Sequence, residues 1–182
     1  MSEISERYAR LVDEFAAVID ATPPDRWEEP SPCAGWTARD VVRHVVDTQG
    51  MFLGFVGRSL GEIPPVDEDP AGAFRAATTA VQADLEDPER AAAEFDGSNG
   101  RLRFDDAVGN FLGFDLIVHR WDLARAVGGD ESIDPQEIEW ANVAIEGFGD
   151  QMRESGHFGT ASDPGPDASL QQRMLAALGR TA

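Results

Sequence analysis

From Asp105 to Gly128 the chain repeats at steps of three and four residues, so that Val108, Leu112, Asp115, His119, Asp122 and Ala126 return to one side of a 3.6-residue helix. Leu116, Ile117, Val118 and Leu123 flank that side, which turns it inward. A stripe that hydrocarbon would normally fill therefore carries a carboxylate and an imidazole one turn apart. Desolvating such groups unpaired costs on the order of a few kcal/mol each, so they must meet partners. Two arrangements satisfy them: a hydrogen-bonded polar group inside the core, or a shared metal ion.

The rest of the chain supplies more inward stripes. Ser5 to Ala21 predicts a first helix through Tyr8, Leu11, Val12, Phe15, Val18 and Ile19, ended by Thr22-Pro23-Pro24. Asp25 to Trp36, with Trp27, Pro30, Pro32 and Cys33, fits neither period and predicts an apolar loop packed on the domain. Thr37 and Asp40 form the pattern of a capping box with Asp in place of Glu or Gln, and open a second helix to about Leu60. Its stripe of Val41, His44, Val45, Thr48, Phe52 and Phe55 again contains one imidazole. Gly50, Gly54 and Gly57 lower its helix propensity by about 1 kcal/mol each, while letting a neighbour come close.

Gly61 to Pro70 is a connecting loop, and Pro70 to Leu85 predicts a third helix with a weaker face of Phe74, Ala77, Thr78, Val81 and Leu85. Alternation in Glu94-Phe95-Asp96 and Arg101-Leu102-Arg103-Phe104 across Gly97-Ser98-Asn99-Gly100 predicts a short hairpin. Gly128-Gly129 stops the organising helix. Asp134-Pro135 opens another, with Ile138, Ala141, Ile145, Phe148 and Met152 inward. An arm from Gly156 to Pro166, with His157 at the surface, leads to a final short helix from Ser169 to Leu178. The expected fold is mainly α: an antiparallel four-helix bundle with short extra helices and one small β-hairpin, residues 1–182 forming a single domain.

Charge excludes some functions. Thirty-four acidic residues face 15 basic ones, all arginine, for a net charge of −19. No basic cluster offers a footprint for phosphates, so nucleic acid is not an expected partner. A single cysteine, Cys33, forms no internal disulfide, and no leader or apolar run of about 18 residues is present. The expectation is a soluble cytoplasmic protein without membrane contact, for which a homodimer is compatible.

Facing helices of a bundle commonly build metal sites from inward side chains. Asp115 and His119 project from one helix and His44 offers a third ligand from another. Two imidazole nitrogens and one carboxylate oxygen, with positions left open, suit zinc first and nickel second. The same three residues serve equally as a hydrogen-bonded core cluster. Asp122 either orients His119 or pairs with an arginine such as Arg125. Cys33 reads as a small hydrophobe, and Trp121 and Trp140 as core aromatics; because Cys33 precedes the helix of His44 it is also a candidate neighbour of the site, with Trp36 and Trp121 as candidate lining residues.

Two segments carry a resemblance. Pro32-Cys33-Ala34-Gly35-Trp36-Thr37-Ala38-Arg39-Asp40-Val41-Val42-Arg43-His44 and Asp115-Leu116-Ile117-Val118-His119-Arg120-Trp121-Asp122-Leu123-Ala124-Arg125-Ala126 resemble the signatures of the mycothiol-dependent maleylpyruvate isomerase N-terminal family, within the DinB/YfiT-like superfamily of metal-binding four-helix bundles. The close of the chain, from Asp167 to Arg180, resembles the tail of one subgroup. The resemblance implies His44, Asp115 and His119 as metal ligands. It departs from the isomerase in placing Asp115 where that enzyme carries glutamate, and in leaving no room for that enzyme's further C-terminal domain.

The implied function is a divalent-metal-binding protein working as a thiol S-transferase or isomerase on small electrophiles, with mycothiol as low-molecular-weight cosubstrate. Two alternatives stand beside it: a hydrolase using metal-bound water, and a non-catalytic, metal-stabilised binding module.

Overall fold

The computed structural model describes residues 2–97, 100–154 and 159–181, and the side chains of 148–154 lie outside that description. Ser98 and Asn99 of the expected hairpin turn, the expected inward side chains Phe148 and Met152, and His157 with its neighbours 155–158 therefore lie outside the described residues. The chain is mainly helical with one two-stranded antiparallel sheet, and its contacts fall into two units, Met1–Asp130 and Glu131–Ala182. Among the described residues no helix is long and apolar enough to cross a membrane.

The first unit is a four-helix bundle. Helix α1 (Glu3–Ala21) starts on Ser2, whose hydroxyl accepts from the Ser5 N–H, and buries Tyr8, Leu11, Phe15, Val18 and Ile19. Helix α2 (Ala38–Phe55) and helix α3 (Pro70–Glu86) follow, and α6 (Gly113–Val127) completes the bundle. Each of α1 and α2 packs against both α3 and α6, so α1 and α2 sit diagonally opposite. A buried hydrogen bond of 2.6 Å from the Tyr8 hydroxyl to Gln49 Oε1 links the diagonal.

The third helix, expected to have the weakest face, is a full member of this bundle. Ala73, Phe74, Ala77 and Val81 are completely buried, and Phe74 stacks on Phe15 with ring centroids 4.8 Å apart. Small residues let α3 come close to its neighbours, which a stripe rich in alanine does not advertise.

Helix α2 ends at Phe55 rather than near Leu60. Gly57 adopts φ 73°, and the Arg58 N–H reaches back to the Leu53 carbonyl at 2.9 Å, a left-handed C-terminal closure that glycine admits without strain. Phe55, expected inward, is the last residue of the helix and 46% exposed, its ring stacked on Phe95 at 5.0 Å. Arg58 then turns to Asp84, a buried carboxylate that also accepts from Arg90 at 2.9 Å. The short helix α4 (Pro88–Ala91) carries Arg90 and leads to the hairpin of β1 (Glu94–Gly97) and β2 (Gly100–Arg103), in which Phe95 pairs with Leu102.

The organising helix is not continuous from Asp105. It consists of α5 (Phe104–Ala107), a π-helical turn (Val108–Leu112) and α6. The Gly109 carbonyl in the wide turn accepts from Arg7 Nη1 at 3.2 Å. One extra residue per turn is invisible to a 3.6-residue template, since Val108 and Leu112, its first and last residues, are both buried.

The expected cap of α2 is present in full. Thr37 Oγ1 accepts from the Asp40 N–H at 3.3 Å, and Asp40 Oδ2 accepts from the Thr37 N–H at 2.9 Å. That backbone N–H, with the Thr37 hydroxyl and the Arg43 charge, holds the Asp40 carboxyl below its ordinary value against the opposing effect of partial burial. Thr37→Ala is expected to cost about 1 kcal/mol in urea denaturation of the metal-free protein at neutral pH. The Asp40 contribution is complete above the unfolded carboxylate range and is lost as pH falls through its lowered value. Alanine keeps the residue-37 N–H, so the gap between the two proteins should narrow in acid only by the Thr37 hydroxyl's bond to Asp40, and the part from that hydroxyl's acceptance of the Asp40 N–H should remain.

In the second unit, α7 (Pro135–Glu154) packs with α8 (Leu170–Ala177). Ile138 and Ala141 are buried as expected, and Ile145 is half-buried. A capping box of Ser169 and Gln172 opens α8. The Gln171 amide ties it to the segment before α7, accepting from the Ile133 N–H at 3.0 Å and donating to the Glu131 carbonyl at 2.8 Å. Gly179, with φ 76°, lies so close to Gly159 that an added Cβ would sit 2.6 Å from its backbone.

Candidate functional site

Val41 and Val45, both completely buried, fix the rotation of α2 so that His44 faces α6. On α6 the buried Leu116, Ile117 and Val118 anchor the helix and turn Asp115 and His119 toward α2. The result brings the three residues together. Asp115 Oδ1 lies 3.1 Å from His44 Nε2 and 3.3 Å from His119 Nε2, and the two imidazole centroids are 4.7 Å apart. The other oxygen, Asp115 Oδ2, is buried and has no hydrogen-bond partner among the described residues. Side-chain exposure falls from 24% at His44 through 16% at Asp115 to 6% at His119, so the trio opens to solvent on the His44 side.

Burial alone would raise the Asp115 pKa. The His119 charge and hydrogen bonds from both imidazoles overcome it and hold the carboxyl well below the usual range. Burial would likewise depress His119, but the Asp115 charge and hydrogen bonds to Asp115, Asp122 and Cys33 push it well above its ordinary value. Both shifts share one cause, the mutual attraction of a negative Asp115 and a positive His119.

A donor atom from each of His44, Asp115 and His119 lies within 4.8 Å of the others. Ligands at about 2.0–2.2 Å from a zinc ion have comparable separations across the metal. A second such group, Cys33, Asp122 and His119, shares His119 with the first. Asp122, fully buried, places Oδ2 2.9 Å from His119 Nδ1, and Cys33 Sγ donates to that same oxygen at 3.3 Å. Of the two roles expected for Asp122, contact with His119 is the one these distances display.

Trp36 closes one wall, its ring centroid 4.9 Å from that of His44 and 6.0 Å from that of His119. Trp121 is wholly buried as expected, with Arg125 over its ring, and Trp140 is half-buried. Helical periodicity does not find Cys33 or Trp36 as site neighbours. The available signal is their closeness to the cap of α2. The Ala38 N–H donates to the Glu29 carbonyl at 2.9 Å, and the Ser31 N–H to the Trp36 carbonyl at 2.8 Å, which folds the loop back over the start of that helix.

A helical bundle with two imidazoles and a carboxylate converging from facing helices defines the class of a candidate metal-centred bundle protein. The chain belongs to the mycothiol maleylpyruvate isomerase N-terminal domain family, which it matches over residues 8–124, a span reaching from α1 into α6 and containing all three residues of the trio. Two relatives from strains of Mycobacterium tuberculosis, the uncharacterized proteins MT0763 and Rv0738, are each 30% identical over 180 residues, covering 96% of this chain and 96% of their own. No solved structure matches the chain.

Proposed function

We propose that this protein is a divalent-metal-dependent enzyme that joins or isomerises small electrophiles with a low-molecular-weight thiol of the mycothiol type, and that His44, Asp115 and His119 hold the metal. The observation that carries this reading is the unpartnered, buried Asp115 Oδ2 beside an oxygen already facing two imidazole nitrogens. A buried carboxylate oxygen without a donor costs stability unless something else satisfies it. The donor set suits zinc first and nickel second.

When bound, a divalent ion supplies a Lewis acid that lowers the pKa of a thiol or polarises a carbonyl. The chain's own residues prepare that position. Asp115 offsets the cation's charge, the imidazoles give neutral nitrogen donors, and Leu116 and Val118 keep water from the inner side. Trp36 bounds the half-open mouth with an aromatic face against which a small organic substrate packs. The family supports a mycothiol-related small-molecule substrate. In this reading residues 1–182, a span that the relatives match along 180 residues, work as one functional domain built of the two units.

Incubating metal-loaded and chelator-treated protein with small electrophiles, with and without mycothiol, tests the reading. Turnover is expected only when metal and thiol are both present. Turnover that ignores the thiol assigns the site to hydrolysis. A rise in melting temperature on metal addition, with no substrate consumed, assigns it to a binding module.

A further inference from the structure

His119 has two ring nitrogens with different duties. Nε2 faces Asp115, while Nδ1 lies at hydrogen-bonding distance, 2.9 Å, from Asp122 Oδ2. Which nitrogen of an imidazole carries the proton is set by the partner of the other. Asp122 is fully buried one helical turn beyond His119, so its carboxylate has little freedom to turn elsewhere. The Cys33 thiol donates to the same oxygen at 3.3 Å, and its Sγ lies 3.9 Å from His119 Nδ1.

We propose that Asp122 is the positioning residue of the centre: it accepts a hydrogen bond from His119 Nδ1–H and so presents Nε2 toward Asp115 and His44, with the Cys33 thiol donating to the same carboxylate oxygen. This rests on the reading of His44, Asp115 and His119 as metal ligands. The alternative use of Cys33, Asp122 and His119 as ligands of a second ion would require His119 to give up both ring hydrogens. The 2.9 Å separation is instead that of an N–H donating to a carboxylate. Carboxylate contacts behind a ligating imidazole fix its tautomer and strengthen it as a donor.

The test is a zinc titration of metal-free wild type, Asp122→Asn and Asp122→Ala against a competing chelator, with nitrogen-correlated spectra of the His119 ring recorded on the zinc-loaded samples. Wild type is expected to bind zinc with a protonated Nδ1. Asp122→Ala should lose roughly ten- to a hundredfold in affinity and its defined Nδ1–H signal, while Asp122→Asn, which keeps an acceptor oxygen, recovers part of both. A general packing defect would not move the ring signal in this graded way. Zinc affinity in Asp122→Ala within about twofold of wild type overturns the assignment and leaves the three-ligand centre standing. If the alanine variant does not fold, the asparagine variant decides: unchanged affinity and an unchanged ring signal overturn the assignment. Failure of wild type itself to bind zinc removes the metal reading and this inference together.

Discussion

His119→Ala is expected to leave the purified protein essentially free of divalent metal, where wild type carries about one ion per chain when loaded at saturating metal. His119 is the deepest of the three proposed ligands and the one on which both candidate donor groups depend. Its loss therefore removes the inner donor without offering a substitute from a neighbouring side chain. Elemental analysis after gel filtration gives the stoichiometry, and thermal unfolding gives an independent measure. A ligand that binds only the folded state at a hundred times its dissociation constant stabilises by about 2.7 kcal/mol. Added zinc should raise the melting temperature of wild type and leave that of His119→Ala unmoved. Full metal retention by the variant would remove the centre from this part of the bundle.

Phe74→Ala is expected to cost about 3–5 kcal/mol of stability, because truncating a fully enclosed aromatic loses both its burial and the volume it fills. Phe74 has no exposed surface and lies nearly parallel to Phe15, with 15° between the ring planes, so the substitution opens a void between α3 and α1. Urea denaturation of metal-free protein isolates this effect from metal linkage. A loss below about 1 kcal/mol would show that the two helices collapse onto the gap. Since a whole domain is stable by only about 5–15 kcal/mol, the expected loss is a large share of the total.

The stripes of α1, α2 and α6 were legible because each alternates buried and exposed positions at helical spacing, and the Thr37 cap because its chemistry is local. The conjunction of His44 with Asp115 and His119 followed from the same logic, since a polar side chain on an inward stripe needs company. What escaped sequence reading depends on geometry between residues that no period links. The wide turn at Val108–Leu112 preserves inward hydrophobics on both sides of the break. The end of α2 is set by the backbone of Gly57 and by the distant Asp84, which Arg58 reaches. Alanine-rich α3 gains its place from one enclosed aromatic, Phe74, among small residues that are buried completely. Cys33 and Trp36 were legible as neighbours of the site from their place just before the helix of His44, but the contacts they make there depend on a loop path fixed by main-chain hydrogen bonds, for which hydropathy has no code.

The polar and aromatic contacts described around the two imidazoles come from two short runs, Cys33–His44 and Asp115–Asp122, although His44 and Asp115 are 71 positions apart in the chain. The first run is held onto its helix start by main-chain bonds to Glu29 and Ser31 just before it, and the second is little more than two turns of one helix. Between them lies scaffold whose duty is to deliver the second run opposite the first. The chemistry therefore depends on how two helix surfaces are set against each other and not on the length of chain that joins them.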